Sequence, residues 1–370
     1  MVKHLHVIAF NVPYPADYGG VIDVFYRLKA LYNEGVKIHL HCFEYGREGA
    51  KVLTDICEEV VYYKRSMSFI NQFSKIPYIV KSRSNADLLN DLLKDDYPIL
   101  FEGLHSCFYL NHPKLENRLK IVRCHNVEHD YYHSLVKNTP VGFLRLYFRI
   151  EAWKLKRFEQ VLNFANHITA ISKSDEEYFQ SHYGKTFITP PCHQSEEVNI
   201  AAGEGKYILY HGNLSVQEND EAARYIVEQI APYVGYHFLI AGKNPMPMLQ
   251  KEVYKADNVQ LVSNPDEDQL QQLIYGAHIN LLPTFQATGF KLKLLNALFN
   301  GRFCIGTPQL VVGTGLQDFC ILASGDQQMI DNINEYMQKE FTPEMVQLRK
   351  DVLNSRFSNK SSVQKIIALI

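Results

Sequence analysis

Two lysines at the start of a predicted helix are the clearest sign of chemistry in this sequence. The stretch NLLPTFQATGFKLKLLNALFNG (280–301) is typical of a strand end, then Gly289, then a helix that Gly301 ends in the left-handed conformation. Lys291 and Lys293 fall in the first turn of that helix, where a cation opposes the helix dipole. This placement predicts an anion that both lysines and the free backbone N–H groups share. The alternative for Lys291 is that its stem only covers apolar surface.

Glycines mark two further strand ends that suit an anion. Gly19 and Gly20 follow NVPYPADY and open a helical pattern, and Gly212 and Asn213 follow the strand YILYH. Glycine lets backbone N–H groups approach a bound anion closely. Each pair has a structural alternative, which is a tight strand-to-helix turn in the first case and capping of the next helix in the second. Neither pair belongs to a G-x-G-x-x-G dinucleotide fingerprint, which disfavours a nicotinamide enzyme.

A third candidate site follows the strand KIVRC (120–124), which runs directly into His125, Asn126 and, two residues later, Glu128. Open α/β sheets bind ligands at the carboxyl ends of their strands, so these polar groups are placed for binding or acid–base chemistry. The alternatives are a structural histidine and a glutamate that belongs to the first turn of the next helix, where a carboxylate is favoured.

The composition excludes several classes of protein. A chain of 370 residues is too long for one core, so two domains are expected. The formal charge of −2 gives no net field for unspecific nucleic-acid binding. Seven cysteines without metal-like spacing indicate free thiols in a reducing cytoplasm, and no apolar run is long enough to cross a bilayer. The acids of NPDEDQLQQL (264–273) are expected at a helix start rather than on a metal, and neither metal nor cofactor is predicted.

Short apolar strands alternate with helical patterns along the whole chain, which predicts an α/β fold with parallel sheets. The predicted domains are 1–190 and 204–354, joined by a linker at 191–203, with a final helical segment at 355–370. The expected strands of the first domain lie at 5–10, 37–43, 59–63, 98–102, 120–124 and 167–172. Those of the second lie at 206–212, 236–242, 258–262, 277–283, 302–306 and 319–323.

Motifs in both halves together resemble the group 1 family of GT-B glycosyltransferases, which use nucleotide-sugar donors with retention. The first half contributes P-Y-P-A-D-Y-G-G, C-H-N-V-E-H-D-Y-Y and A-I-S-K-S-D, and the second contributes H-G-N-L-S-V-Q-E-N-D-E-A-A and T-G-F-K-L-K-L-L-N-A-L-F-N-G. Each motif is weak alone, but their order and spacing across nearly the whole chain are specific. The resemblance implies two Rossmann-like, doubly wound domains facing a cleft, with a C-terminal helix that crosses back to the first domain.

The resemblance also implies roles by position. Lys291 and Lys293 would hold the donor diphosphate, and His125 would lie near the sugar, so these three form the expected catalytic set. The expected donor contacts are Gly19, Gly20, Gly212, Asn213, Thr288, Gly289, Phe290 and Asn296, and the expected acceptor-side contacts are Asn126 and Glu128. Many members carry two glutamates separated by seven residues where this chain has Thr288 and Asn296. Asn296 would offer the ribose a neutral hydrogen bond, about half as strong as a charged one.

The expected activity is transfer of a sugar from a nucleotide diphosphate-sugar to a saccharide or lipid-linked acceptor in cell-surface polysaccharide synthesis, catalysed electrostatically. Two alternatives stay open: a GT-B sugar-nucleotide epimerase with His125 and Glu128 as its acid–base pair, and a non-catalytic relative that serves as a partner subunit. Segment 62–84 combines basic and aromatic residues without an acidic one. It predicts peripheral contact with the inner face of the membrane, unless its apolar face simply packs on the first domain.

Overall fold

A computed structural model describes residues 2–286 and 289–370, which form two compact units. The first unit contains the residues up to Cys192 together with Asn359–Ile370, and the second contains His193–Ser358. Each unit is built on one parallel sheet, so the predicted α/β class is confirmed. Thr288, an expected donor contact, lies outside the described residues.

The first unit has a seven-stranded parallel sheet in the order β3-β2-β1-β4-β5-β6-β7. Alternate residues of its strands enter two separate apolar cores, as a sheet covered by helices on both faces requires. Ile8, Ile99 and Phe101 lie in one core, and Val7 and Leu100 lie in the other. The strands are β1 (His4–Ala9), β2 (Lys37–Glu44), β3 (Glu59–Lys64), β4 (Ile99–Glu102), β5 (Lys120–Cys124), β6 (His167–Ala170) and β7 (Thr186–Ile188).

Helices connect the successive parallel strands of this sheet, as in a doubly wound unit. They are α1 (Gly19–Asn33), α2 (Lys51–Ile56), α3 (Tyr78–Lys81), α4 (Ala86–Leu92), α5 (Glu128–Asn138), α6 (Phe143–Phe158) and α7 (Lys173–Tyr183). Short 3-10 helices lie at Phe69–Phe73, Leu104–Tyr109, Pro113–Leu115 and Glu159–Phe164. The strand order 3-2-1-4 reverses between β1 and β4, and such a switch point opens a crevice at the carboxyl edge of the sheet.

The second unit repeats this plan with a six-stranded sheet in the order β10-β9-β8-β11-β12-β13, so its switch point lies between β8 and β11. Its strands are β8 (Ile208–Asn213), β9 (Phe238–Lys243), β10 (Val259–Ser263), β11 (Ile279–Leu282), β12 (Phe303–Gly306) and β13 (Ile321–Leu322). Its helices are α8 (Gln217–Tyr225), α9 (Pro247–Tyr254), α10 (Glu267–Gly276), α11 (Leu292–Asn300), α12 (Asp326–Tyr336) and α13 (Pro343–Arg356). A π-helical turn at Ile226–Ile230 extends α8, and 3-10 helices lie at Ala231–Tyr233, Pro308–Val311 and Gln317–Phe319.

The last helix, α14 (Asn359–Ile367), belongs to the first unit. Its Val363 and Ile366 are fully buried in the same core as Val24 of α1. The segment expected as a linker is also packed: Cys192 is buried in the first unit, and Val198 and Ile200 are buried in the second.

The prediction that Gly301 ends its helix in the left-handed conformation is wrong. Gly301, which follows α11, has φ −115° and ψ 160°, so it is extended rather than left-handed. A Cβ atom at Gly301 would lie 2.1 Å from the Nδ2 atom of Asn280 on β11. Glycine is required there by close packing and not by its φ angle.

Two expected features, the helix start within 264–273 and the free cysteines, are present in the structure. Asp266 caps α10 and forms a capping box with Gln269, so the acids of 264–273 do begin a helix. All seven cysteines are free thiols. In the described part of the chain, no three His, Cys, Asp or Glu residues are grouped as metal ligands, and no helix combines the length and apolar character needed to cross a bilayer.

Candidate functional site

The carboxyl edge of the second sheet holds the two lysines that the sequence singled out. Lys291 is the N-cap residue of α11, and its Nζ lies 2.8 Å from one carboxylate oxygen of Glu218 and 3.1 Å from the other. Glu218 lies in the first turn of α8. A carboxylate from the neighbouring helix therefore balances the charge of Lys291, so this side chain does more than cover apolar surface.

Lys293 has a different environment. Its Nζ donates to Asn219 Oδ1 at 3.0 Å and to the Tyr210 hydroxyl at 3.3 Å, and it lies 5.0 Å from the centre of the Tyr210 ring. Within the described residues it forms no ion pair, so its partners are neutral. Burial lowers the pKa of Lys293 to about 8, with Lys291 adding to the decrease and Glu218 opposing it. A bound anion would offset this effect of burial and stabilise the charged form of Lys293.

Asn219 joins Lys293 to the turn after β8. Its Nδ2 donates to the carbonyl of Asn213 at 3.0 Å, while its Oδ1 accepts from Lys293. A Cβ atom on Gly212 would lie 3.2 Å from the Asn219 amide carbon, so the side chain packs directly on the glycine. The N-cap of α8 is Val216, and therefore Asn219 does not cap that helix. Gly212, Asn213 and Lys293 are thus brought together.

The loop before α11 also contributes. Gly289 has φ +71°, a left-handed conformation that other residues rarely adopt, and Phe290 packs against Phe357 with ring centres 6.3 Å apart. One turn into α11, the Oδ1 atom of Asn296 is buried and has no hydrogen-bond donor among the described residues. An unsatisfied buried acceptor is costly, and a hydroxyl group placed there would satisfy it.

His211 lies beside Lys293 in the second unit. It is buried, and its Nε2 has no partner within the described ranges. Burial, helped by the nearby Lys293 charge, lowers the pKa of His211 to about 3. The imidazole therefore stays neutral at physiological pH and contributes no charge to this edge of the sheet.

The first unit contains a buried network of charges around Asp23. Arg27, on the same face of α1, lies 2.5 Å from Asp23, and Arg123 of β5 donates to Asp23 at 3.0 and 3.1 Å. The backbone N–H of Cys192 donates to the other oxygen at 2.6 Å. Burial raises the pKa of Asp23, but Arg123 and Arg27 outweigh it, and the pKa falls to about 2. Asp23 is therefore an anion at physiological pH.

His125 belongs to this network. Its Nε2 lies 3.1 Å from Glu102 at the end of β4, and its Nδ1 lies 3.4 Å from Asp23. Glu102 also accepts from Arg27 at 2.8 Å. Both ring nitrogens of His125 thus face carboxylates, which hold the ring in one orientation. Asn126, next in sequence, is half-buried.

The Phe10 ring packs against both Gly20 and His125. A Cβ atom on Gly20 would lie 2.9 Å from the Phe10 ring, and the ring meets His125 edge-on at 5.7 Å between centres. Gly20 is therefore required by packing of Phe10 against the start of α1, while Gly19 is exposed. Arg83 fixes this loop because its Nε donates to the Phe10 carbonyl at 2.7 Å.

Glu128 begins α5 and is almost fully buried. Its carboxyl lies 3.8 Å from Nδ1 of His105. Burial, together with Glu159 and Asp175, raises the pKa of Glu128 to about 8. Glu128 lies near His105 without a hydrogen bond to its Nδ1, whereas His125 faces two other carboxylates, so Glu128 and His125 are not in direct contact as an acid–base pair.

The second unit resembles a known protein family in sequence. The group described as glycosyl transferases group 1 matches residues 205–339, which span β8, α8, β11 and α11. Most of the second unit is therefore similar in sequence to this family. Its signature segments are those that bring Gly212, Asn213 and Lys293 together.

Comparison of whole chains extends this glycosyltransferase assignment to the fold. An uncharacterized 44.6 kDa protein in the cps region of Klebsiella pneumoniae is 26% identical over 344 residues, which cover 88% of this chain and 87% of that protein. A structure of TarM has a TM-score of 0.69 and 11% identity, covering 100% of this chain and 99% of its own. A mutant TarM from S. aureus, in complex with fondaparinux, alpha-GlcNAc-glycerol and UDP, has the same TM-score. The two-unit GT-B fold is thereby confirmed.

A further solved structure, from E. coli and described as trehalose-6-phosphate bound with UDP-2-fluoro glucose, has a TM-score of 0.64 and 11% identity over 99% of both chains. At such low identity these structures establish the fold of the glycosyltransferase and not its substrate.

Sequence reasoning missed the partners of the site residues. Neither the Glu218–Lys291 pair nor the role of Asn219 followed from the sequence, because the contacts join helices more than 70 residues apart. The buried ion pairs of α1 had a weak local signal, since Asp23 and Arg27 are four residues apart and face the same side.

Proposed function

We propose that this glycosyltransferase moves a sugar from a nucleotide diphosphate-sugar to a saccharide or lipid-linked acceptor, with retention at the anomeric carbon. The observation that carries the proposal is Lys293, a half-buried cation whose hydrogen-bond partners among the described residues are all neutral and which stands close to Lys291 at the start of a helix. A diphosphate is the ligand whose charge and size suit two adjacent ammonium groups and a helix N-terminus.

Binding of the donor would change the hydrogen-bond partners of both lysines. Lys291 would leave Glu218 for a phosphate oxygen, while Lys293 would keep its contact with Asn219 and gain an anionic acceptor. The buried Oδ1 of Asn296 would accept a hydrogen bond from a ribose hydroxyl, which explains how an amide serves where many relatives have a glutamate. Gly212 and Gly289 would allow close approach of the backbone.

The catalytic contribution would be mostly electrostatic. As the bond between the sugar and the diphosphate breaks, negative charge grows on the phosphate oxygens, and Lys291, Lys293 and the N–H groups of α11 would stabilise it. These cations supply the charge neutralisation that a divalent metal supplies in other enzymes, so we propose metal-independent transfer. For His125 of the first unit, whose ring is fixed by Asp23 and Glu102, we propose a contact with the sugar rather than the role of a base.

The setting of the reaction is inferred from the relative in the Klebsiella cps region, whose name places it among surface-polysaccharide genes. We propose a role in cell-surface polysaccharide synthesis, at the cytoplasmic side of the membrane.

The test is release of nucleoside diphosphate from a panel of UDP-, GDP- and dTDP-sugars, with and without saccharide acceptors. Acceptor-dependent release from one donor, with formation of an α-linked product from an α-linked donor, is the expected result. Release without an acceptor, accompanied by an altered sugar, would favour the epimerase. A folded protein that binds no donor of the panel would contradict the proposal and favour a partner subunit.

A further inference from the structure

Helix α6 (Phe143–Phe158) carries large apolar side chains on its outer face. Phe143, Leu146, Ile150 and Trp153 are 79%, 53%, 45% and 56% exposed, respectively. Their spacing of three, four and three residues places them on one stripe along the helix. An ordinary surface helix of a globular protein carries polar residues on this side.

The inner face of α6 is fixed to the first unit. Ala152 and Leu155 are fully buried, and the buried Glu151 accepts from the backbone N–H of Tyr78 at 2.7 Å. Lys154 pairs with Glu151 at 2.8 Å. The inner face of α6 therefore packs on the first unit as in an ordinary amphipathic helix. The apolar stripe on its outer face is not buried by this packing.

A second apolar edge lies beside α6. The 3-10 helix Phe69–Phe73 exposes Phe69, Ile70 and Phe73, and the two phenylalanine rings meet edge-on at 5.4 Å. Lys154 of α6 joins the two elements, because its Nζ donates to the carbonyl of Gln72 at 2.6 Å. We call these two elements together the aromatic face.

The exposed charged residues of α6 and of segment 62–84 are all positive. Arg149, Lys156 and Arg157 are exposed on α6, and Arg157 lies over the Trp153 ring at 4.7 Å. Residues 139–158 contain a single acid, Glu151, which is buried and paired, and residues 62–84 contain none. Lys64 and Lys75 are exposed as well. The whole chain has a formal charge of −2, so this concentration of cations is local.

One basic residue of the segment that predicted membrane contact does not belong to this surface. Arg83 is buried and donates to the carbonyls of Phe10 and Ile79. Ile79 is buried too, so the exposed part of 62–84 is its first half.

We infer that the aromatic face docks on a membrane leaflet that contains anionic lipid, with α6 lying in the plane of the interface. The aromatic and aliphatic side chains would enter the boundary between headgroups and acyl chains, and the flanking cations would meet lipid phosphates. A tryptophan with a polar N–H suits that boundary. The inference deepens the proposed function, because it commits the acceptor to the lipid-linked class.

A second copy of this chain fits the face less well. A two-fold contact sets the same patch against itself, which would bring Arg149, Lys156 and Arg157 of two copies together without any exposed acid on α6 to balance them. An anionic leaflet supplies negative charge at every point of contact.

The chain offers an internal probe, since Trp153 is its only tryptophan. We expect its emission to shift to shorter wavelength on vesicles of phosphatidylcholine with phosphatidylglycerol, and to be quenched when the lipids are brominated. Salt should reverse the effect. The triple variant R149Q/K156Q/R157Q should bind these vesicles at least about tenfold more weakly. The double variant F69S/F73S, which keeps Trp153, should reduce the shift.

Tyr254→Ser, at a 92%-exposed aromatic residue of the second unit, is the matched control and should bind vesicles normally. Thermal unfolding checks that each variant is folded. Equal binding to vesicles of phosphatidylcholine alone, or none to either, would overturn the inference. So would sedimentation showing a dimer that F69S/F73S dissociates. Binding of nucleoside diphosphate in calorimetry reports on the proposed donor site separately, since it needs neither acceptor nor membrane.

Discussion

Replacing Lys293 by methionine removes the charge of this side chain and keeps its length. In the part of the chain that the structure describes, its Nζ has two acceptors, both neutral: Asn219 Oδ1 at 3.0 Å and the Tyr210 hydroxyl at 3.3 Å. A bound diphosphate would therefore give the ammonium group its first strong anionic partner. A hydrogen bond to a charged group contributes about 1.5–3 kcal/mol. We expect Lys293→Met to weaken binding of the cognate nucleoside diphosphate about 10- to 150-fold.

Isothermal titration calorimetry with UDP, GDP and dTDP measures this loss directly. Lys339→Met is the matched control, because Lys339 lies in the same unit and pairs with Glu335 on the surface. The control should bind as the unchanged protein does. Lys291→Met should cost less than Lys293→Met, since Lys291 must first leave Glu218.

The pH dependence gives an independent check. Lysine is cationic below its pKa, and burial brings that of Lys293 to about 8. Nucleotide affinity should therefore be constant at neutral pH and fall as the pH rises above 8, and this fall should be absent in Lys293→Met. If the folded variant binds within about twofold of the unchanged protein, or if both have the same pH profile, the diphosphate is not held by Lys293.

Three further predictions concern the surroundings of the two sites. Glu218→Gln should tighten binding of the same nucleotide roughly fivefold in calorimetry, because it frees Lys291, and an unchanged or weaker affinity would show that the pair orders the site instead. Asp23 has a pKa of about 2 in the folded state, below its usual 3.8, so its stabilisation is complete above about pH 4 and is lost as the pH falls to 2. Asp23→Asn should lower the free energy of unfolding in urea by about 3–5 kcal/mol at neutral pH, and it should remove most of the decrease of this free energy between about pH 4 and pH 2. If the variant keeps that decrease, other groups cause it. Gly242→Ala should destabilise the protein by about 1–3 kcal/mol and weaken nucleotide binding, because its Cβ would lie 1.8 Å from the Gly212 carbonyl oxygen, whereas Gly235→Ala, with open space around it, should be neutral.

Much of the fold could be predicted from the sequence, because each strand and helix has a local signature. Every expected strand forms, most within two residues of its predicted ends. The strand that was missed, β7, has three half-buried residues, too few for an apolar pattern to show. Gly301 shows the limit of local rules: its position after a helix favoured a left-handed φ, but the packing of Asn280 decided its conformation.

The candidate site divides in the same way. The sequence by itself determined that Lys291 and Lys293 start a helix after a strand, since periodicity and glycine placement are local properties. Only the tertiary structure decided that Lys291 meets Glu218 while Lys293 meets Asn219 and Tyr210, and that His125 is enclosed by Asp23 and Glu102. Such pairings depend on which helices the switch points of the sheets bring together. They also depend on burial, which sets the charge that each group carries, and burial is a property of the packed chain that no short stretch of sequence contains.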